Sequence, residues 1–226
     1  MAVNEEKYNE IINELKSKNV QLVAVSKVQS VADIQKLYDL GQRDFGENYV
    51  QELVEKQSQL PADIRWHFIG HLQSNKVKNI APFVHLIQGV DSFKLLNEIN
   101  KQAKKINRTI HCLLQVHIAE EETKFGLDEN ELKQIMDVVK NDPEQLTSIS
   151  IDGLMGMASF SEDESKVRKE MKSLKSLFDN YKSLSTDNCK LLTLSIGMSG
   201  DYKIAIEEGS NMVRIGSLLF GARAKK

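Results

Sequence analysis

Proline is scarce in this chain, three residues in 226, so long proline-rich linkers are excluded. Cysteine is scarcer still: Cys112 sits in a strand-like run and Cys189 just ahead of another. Two such residues build no disulfide framework and read as reduced thiols. Charge of one sign is also missing, because 30 basic and 32 acidic residues leave a formal net charge of −2. That balance gives no electrostatic case for nucleic acid or an anionic membrane. No apolar run approaches the ~20 residues of a membrane span. The stretch 2–18 is charged throughout and has no signal-peptide apolar region, so a cytoplasmic protein is expected. Asn107-Arg108-Thr109 fits a glycosylation sequon, which is discounted without a secretion signal. No Gly-x-Gly-x-x-Gly follows the first strand, where a dinucleotide fold usually carries it.

Apolar residues make up 41% of the chain, enough for a sizeable core. Their spacing alternates between strand and helix. A helix over 3–18 carries Tyr8, Ile11, Ile12 and Leu15 on one face. A strand then ends at Lys27. Ser30-Val31-Ala32-Asp33 resembles a capping box, Ile34, Leu37 and Tyr38 continue a helical stripe, and Gly41 ends it. Further strands are predicted over 44–47, 65–70, 84–90, 110–118, 149–157, 191–198 and 212–216. Helices are predicted over 48–58, with Val50, Leu53 and Val54 inward, and over 75–80 and 92–105. Others start at Asp128 and cover 163–184, 199–209 and 217–222. A polar loop covers 120–126. Eight strand–helix units with strands apolar on both faces predict a single (β/α)8 TIM barrel over 1–226, with one extra N-terminal helix.

In a barrel, chemistry sits at the C-terminal ends of strands. Leu22-Val23-Ala24-Val25-Ser26-Lys27 delivers a lysine there, on the face of Val23 and Val25. If that face points inward, the amine enters the barrel mouth and can form a Schiff base with an aldehyde. The alternative is a lysine reaching for solvent from a strand end. Met198-Ser199-Gly200 and Gly216-Ser217 follow the seventh and eighth strands, where barrels frequently hold phosphate on free backbone N–H groups. Plain helix capping by either serine is the competing account. Arg214 shares a face with Met212 and Gly216, and an arginine inside a barrel needs an acceptor. A carboxylate would make it structural. A heteroaromatic ring nitrogen would be kept unprotonated by it, which weakens the ring as an electron sink. Lysine, phosphate cradle and arginine together describe a pyridoxal 5′-phosphate site.

The residues also carry a resemblance. Val23-Ala24-Val25-Ser26-Lys27, Phe45-Gly46-Glu47-Asn48-Tyr49-Val50-Gln51-Glu52 and Trp66-His67-Phe68-Ile69-Gly70 are similar to the YggS/PROSC family of pyridoxal phosphate homeostasis proteins. So are Leu72-Gln73-Ser74-Asn75-Lys76, Gly153-Leu154-Met155, Leu194-Ser195-Ile196-Gly197-Met198-Ser199-Gly200-Asp201, Val213-Arg214-Ile215-Gly216 and Phe220-Gly221-Ala222-Arg223. The resemblance spans nearly the whole chain. It implies an alanine-racemase-like barrel of the type III pyridoxal phosphate fold, the cofactor on Lys27, and cofactor handling in the cytoplasm without an established reaction. Two positions depart from the family. Gln88-Gly89 precede Val90-Asp91 where His-Ser is common, and Ile196 replaces the usual methionine. Neither is expected to touch the lysine, the arginine or the phosphate loops.

The expected cofactor set is thus Lys27, Asn48, His67, Met198, Ser199, Arg214, Gly216 and Ser217, with no metal. Asn48 and Tyr49 could both contact the cofactor; Asn48 reads equally as a helix N-cap, core packing is the competing account of Tyr49, and His67 reads as a cofactor neighbour or a core histidine. His71 reads as a loop residue, because Gly70 breaks any helical zinc face. Lys76 and Lys124 are rival nucleophiles in loops, Glu120-Glu121-Glu122 is a solvated loop, and Met155 and Met157 read as core. The alternatives in function are a racemase-like enzyme and a cofactor-free Schiff-base aldolase. Racemases of the alanine type add a C-terminal β-domain that supplies a second base, and the chain ends at Lys226 without one. The expected partners are the cofactor and the apo-enzymes that use it. A monomer is expected, because no long exposed apolar stretch stands out.

Overall fold

The computed structural model describes residues 3–119 and 125–221. Glu120 to Glu122, Lys124, Ala222 and Arg223 lie outside the described residues. Within them, eight parallel strands close into a barrel. They are β1 (Gln21–Val25), β2 (Asp44–Glu47), β3 (Arg65–Phe68), β4 (Leu86–Val90), β5 (Ile110–Gln115), β6 (Ile149–Met155), β8 (Cys189–Met198) and β9 (Met212–Ile215). Each pairs with the next. The ring shuts where β9 meets β1, with Val23 opposite Arg214. β7 (Ser185–Thr186) is a two-residue antiparallel partner for the start of β8. The sequence reading missed it, because two polar residues carry no periodic signal.

The helices form the outer layer: α1 (Glu5–Ser17), α2 (Val31–Asp39), α3 (Val50–Gln57), α4 (Val77–Ile80), α5 (Phe93–Lys105), α6 (Glu129–Asn141), α7 (Glu164–Tyr181), α8 (Tyr202–Glu207) and α9 (Ser217–Phe220). Local chemistry sets their starts. Ser30, Ser92 and Asp163 accept from backbone N–H groups one or two residues into the first turn, and Asp128 with Glu131 closes a full capping box. Ser30 departs from the box pattern, since its hydroxyl bonds the Asp33 carboxylate instead. Four-residue α9 is too short to cover the closing seam. The amphipathic α1 packs beside it, with Tyr8, Ile11 and Leu15 buried and the Asn4 N–H on the Leu219 carbonyl at 2.8 Å.

Two cores result. The larger lies between strands and helices and includes Leu22, Ala24, Phe45, Phe68, Leu96, Leu114 and Leu194. The smaller fills the barrel with Val23, Leu86, Leu113, Met155 and Met212. Polar residues complete the interior, and they form one connected chain. Arg214 Nη1 donates to Ser195 Oγ (2.6 Å), whose hydroxyl donates to Gln88 Oε1 (2.7 Å). The Gln88 amide nitrogen donates to His67 Nδ1 (3.0 Å), and His67 Nε2 donates to Asp44 Oδ1 (3.0 Å). Arg65 then closes on both Asp44 oxygens. The amide donor on Nδ1 selects the Nε2–H tautomer of His67. Burial alone would raise the Asp44 carboxyl, but His67 and Arg65 outweigh it and hold the group well below the usual carboxylate range.

Candidate functional site

The C-terminal mouth of the barrel opens into a cavity of about 610 Å³. Lys27 reaches it from the turn two residues beyond β1, which ends at Val25 rather than at the lysine. Val23 faces the barrel interior and Val25 the cavity, so the two-residue alternation carries the amine inward as expected. Asn48 follows β2 and also lines the cavity. It is not the cap of α3, since Tyr49 occupies that position without a side-chain bond. Asn48 Oδ1 is buried and has no hydrogen-bond partner among the described residues. A buried acceptor left open costs about 1–3 kcal/mol, so it marks a place for a ligand donor.

Met198, Ser199 and Gly200 enter from the end of β8, and Gly216 and Ser217 from the end of β9. The two loops hold each other. Gly216 N donates to Ser199 Oγ across them (3.2 Å), while Met198 N donates to Asp201 Oδ1 within the β8 loop (2.5 Å). The Gly216 N–H is therefore already engaged by the serine expected beside it in an anion cradle. The backbone N–H groups of Gly200 and Ser217 carry no hydrogen bond among the described residues. A Cβ on Gly216 would press on the Val25 carbonyl at 3.2 Å, so glycine lets the β9 loop lie close against the lysine strand.

Arg214 is 3% exposed, and the groups that accept its hydrogen bonds are neutral: Ser195 O (2.9 Å), Ser195 Oγ and Gly156 O (2.9 Å). Burial lowers its pKa to about 10, with Asp201 acting in the opposite sense. It still carries its charge at neutral pH, and its Nε takes part in none of these bonds. The carboxylate pairing that would have made it purely structural is not the one observed.

His67 differs from expectation. It is fully buried, does not line the cavity, and has both ring nitrogens engaged by Gln88 and Asp44. Its place is the barrel interior, below the mouth. Gln88 also differs, because through Ser195 it is joined to Arg214. His71 pairs with Asp91 (2.8 Å) and stacks on Phe125 at the surface, while Lys76 lies in a short helical turn away from the cavity. Tyr49 is 58% exposed, not core, and Met157 lines the cavity while Met155 is fully buried. Among the described residues, one group has metal-ligand spacing, Asp44, His67 and His85 with ligand atoms within 4.8 Å. There Arg65 already covers both Asp44 oxygens. Sequence reasoning missed Ile69 and the loop Ser159-Phe160-Ser161, which completes the cavity wall after β6. The loop is tied down by Glu170, whose carboxylate accepts from Ser159 N and Oγ (2.6 and 2.7 Å).

Residues 4–224 match the alanine racemase N-terminal domain family. A pyridoxal phosphate homeostasis protein of Pasteurella multocida is 38% identical over 209 residues, covering 90% of this chain and 87% of that protein. PipY of Synechococcus elongatus superposes with a TM-score of 0.85 without pyridoxal phosphate and 0.82 with it bound. The identities are 33% and 32%, and each comparison covers 94% of this chain and 99% of PipY. An alanine racemase of Clostridium difficile, 15% identical, shares the fold with a TM-score of 0.75 over 100% of this chain and 59% of its own. The chain belongs to the alanine racemase N-terminal domain family and, within it, to the pyridoxal phosphate homeostasis proteins.

Proposed function

We propose that the chain, as a monomeric single-domain barrel over residues 1–226, holds pyridoxal 5′-phosphate on Lys27 and serves cofactor homeostasis in the cytoplasm rather than catalysis. The observation that carries this is convergence: one cavity collects the Lys27 amine, the loops of β8 and β9, Asn48 and a buried arginine. PipY, a relative of 32% identity in its cofactor-bound structure, has been solved with this cofactor. When bound, the cofactor supplies an aldehyde on a phosphorylated pyridine ring. Lys27 would hold that aldehyde through its Nζ once deprotonated, a linkage that water can reverse. The Gly200 and Ser217 N–H groups, with the Ser199 and Ser217 hydroxyls, suit a phosphate. Arg214 suits an unprotonated ring nitrogen, because its positive charge opposes a proton there. That polarity favours storage over carbanion chemistry. Asn48 gives the open acceptor for a polar ring substituent, and Met198 an apolar wall. His67 acts only through the interior chain. The recipients are apo-enzymes that use the cofactor. Among the described residues no helix is long and apolar enough to cross a membrane.

The test is the visible absorption spectrum of the purified protein with added pyridoxal phosphate, beside Lys27→Ala. A yellow band in the wild type that is lost or blue-shifted in the variant is the expected result. A wild type that stays colourless overturns the reading. Racemisation of alanine at enzyme-like rates would replace the homeostasis role by an enzymatic one.

A further inference from the structure

A buried ion cluster lies behind the Lys27 loop, outside the cavity. Lys56, on α3, is 4% exposed, and its ammonium donates in three directions. Its acceptors are Ser26 O (2.7 Å), Glu47 Oε1 (2.8 Å) and Glu52 Oε1 (2.5 Å). Glu47, at the end of β2, is fully buried and also accepts from Ser26 Oγ (2.6 Å). Glu52 in turn accepts from the backbone N–H of Val28 (2.6 Å). The two peptide groups that flank Lys27 are therefore each held by a member of this cluster. Lys56 takes the carbonyl on the N-terminal side, and Glu52 takes the N–H on the C-terminal side.

The second hold has work to do. Val28 has a φ of +59°, a left-handed conformation that a β-branched residue adopts only at a cost of order 1–3 kcal/mol. Val28 is also 66% exposed, so side-chain packing does not compensate. The charge-assisted bond to Glu52 is of the right size to do so. With this turn the chain reverses directly after Lys27, with Gln29 N on the Ser26 carbonyl at 3.0 Å, and holds the lysine where the alternation along β1 has brought it to the cavity.

We infer that Glu52 and Lys56, with Glu47 behind them, are positioning residues that clamp the backbone on both sides of Lys27 and aim its amine at the cofactor aldehyde. The same geometry explains why Lys56, a few residues away in space, is not the attachment point. Its three ammonium hydrogens match its three acceptors, so it has no lone pair to offer. The inference rests on the reading of Lys27 as the attachment residue.

The experiment separates covalent attachment from simple binding. Wild type, Glu52→Ala, Glu52→Gln and Lys56→Met are saturated with pyridoxal phosphate. The ratio of the yellow covalent band to total bound cofactor is then measured, with the melting temperature alongside. Glu52→Ala removes the acceptor for Val28 but leaves the phosphate loops and Arg214 intact. It is expected to lower the covalent-to-noncovalent ratio about tenfold, the worth of one charge-assisted bond. Glu52→Gln keeps an acceptor for the Val28 N–H and is expected to recover most of that loss. Glu52 is partly exposed at its rim, so Glu52→Ala keeps the test decisive if Lys56→Met does not fold. A fall in melting temperature with an unchanged ratio in Glu52→Ala overturns the clamp and leaves a merely structural ion cluster. If the wild type itself shows no yellow band, the cofactor reading fails first, and the two failures are distinct.

Discussion

Replacing Gln88 with leucine tests the interior chain with a size that can be worked out. Gln88 is fully buried and joins two neighbours, accepting from Ser195 Oγ and donating to His67 Nδ1. Leucine fills similar volume but offers neither bond. Two polar groups then lose their partners inside the barrel, at about 1–3 kcal/mol each. Burying a leucine in place of an amide returns about 1–2 kcal/mol. At the middle of these ranges the net loss is about 2.5 kcal/mol, and in a domain of this size each kcal/mol moves the melting temperature by about 2–4 °C. The expected fall is thus roughly 5–10 °C. The assay is thermal and urea unfolding followed by the fluorescence of Trp66, the single tryptophan, which is buried at 2% exposure. Gln88→His, which restores the residue common in the family, should cost less, because imidazole can bridge the same two neighbours. The double variant with His67→Leu should cost less than the sum, since the two share one bond. A Gln88→Leu protein that melts within about 2 °C of wild type would refute the connected chain.

Three further outcomes follow from the same coordinates. A Cβ on Gly153 would fall on the Thr193 carbonyl of the neighbouring strand, so Gly153→Ala should cost more than ~4 kcal/mol and be seen as loss of folded protein in solubility and circular dichroism. Cys112 and Cys189 are buried, and burial raises both thiols, Cys189 to about 12, so iodoacetamide at pH 8 should label neither until urea unfolds the chain, as mass spectrometry would report. The folded Asp44 carboxyl lies below its ordinary 3.8, so its stabilisation is present above that value and is lost as pH falls through the acid range toward the folded value. Asp44→Asn should therefore lower the melting temperature at pH 7 and flatten its decline below about pH 4.

The barrel was legible because its signals are periodic and local. Alternation put Val23, Lys27, Met212 and Arg214 on inward faces, and serine or aspartate caps marked α2, α5, α6 and α7. Tertiary pairing was not legible. The stripe on α3 was read as Val50, Leu53 and Val54, yet Val54 is 38% exposed and Lys56 is buried. A lysine on a charged helix reads as solvated until the strand carbonyl and the two glutamates that receive it are brought together. Gln88 and Ser195 likewise look unremarkable apart, being 107 residues distant in sequence. The Ser159-Phe160-Ser161 wall has no periodicity at all. The only rule that would have found it is that every loop after a barrel strand faces the mouth.

The glycines at the rim set a limit on change. Gly70 leaves no room for a Cβ beside the Asn48 backbone, and a Cβ on Gly89 would stand 2.5 Å from the Gly70 carbonyl. At Gly70 and Gly89 the rim is therefore main chain against main chain, and a substitution at either position cannot add a side chain without moving the backbone. On the far side, Phe160, which is almost fully exposed, and the exposed Gly200, whose Cβ would meet nothing, have space to vary. Any retuning of what the mouth admits, by evolution or by design, is therefore open at those positions and at Asn48 and Ile69, and closed at the two glycines, whose backbones fix the spacing of the strand ends.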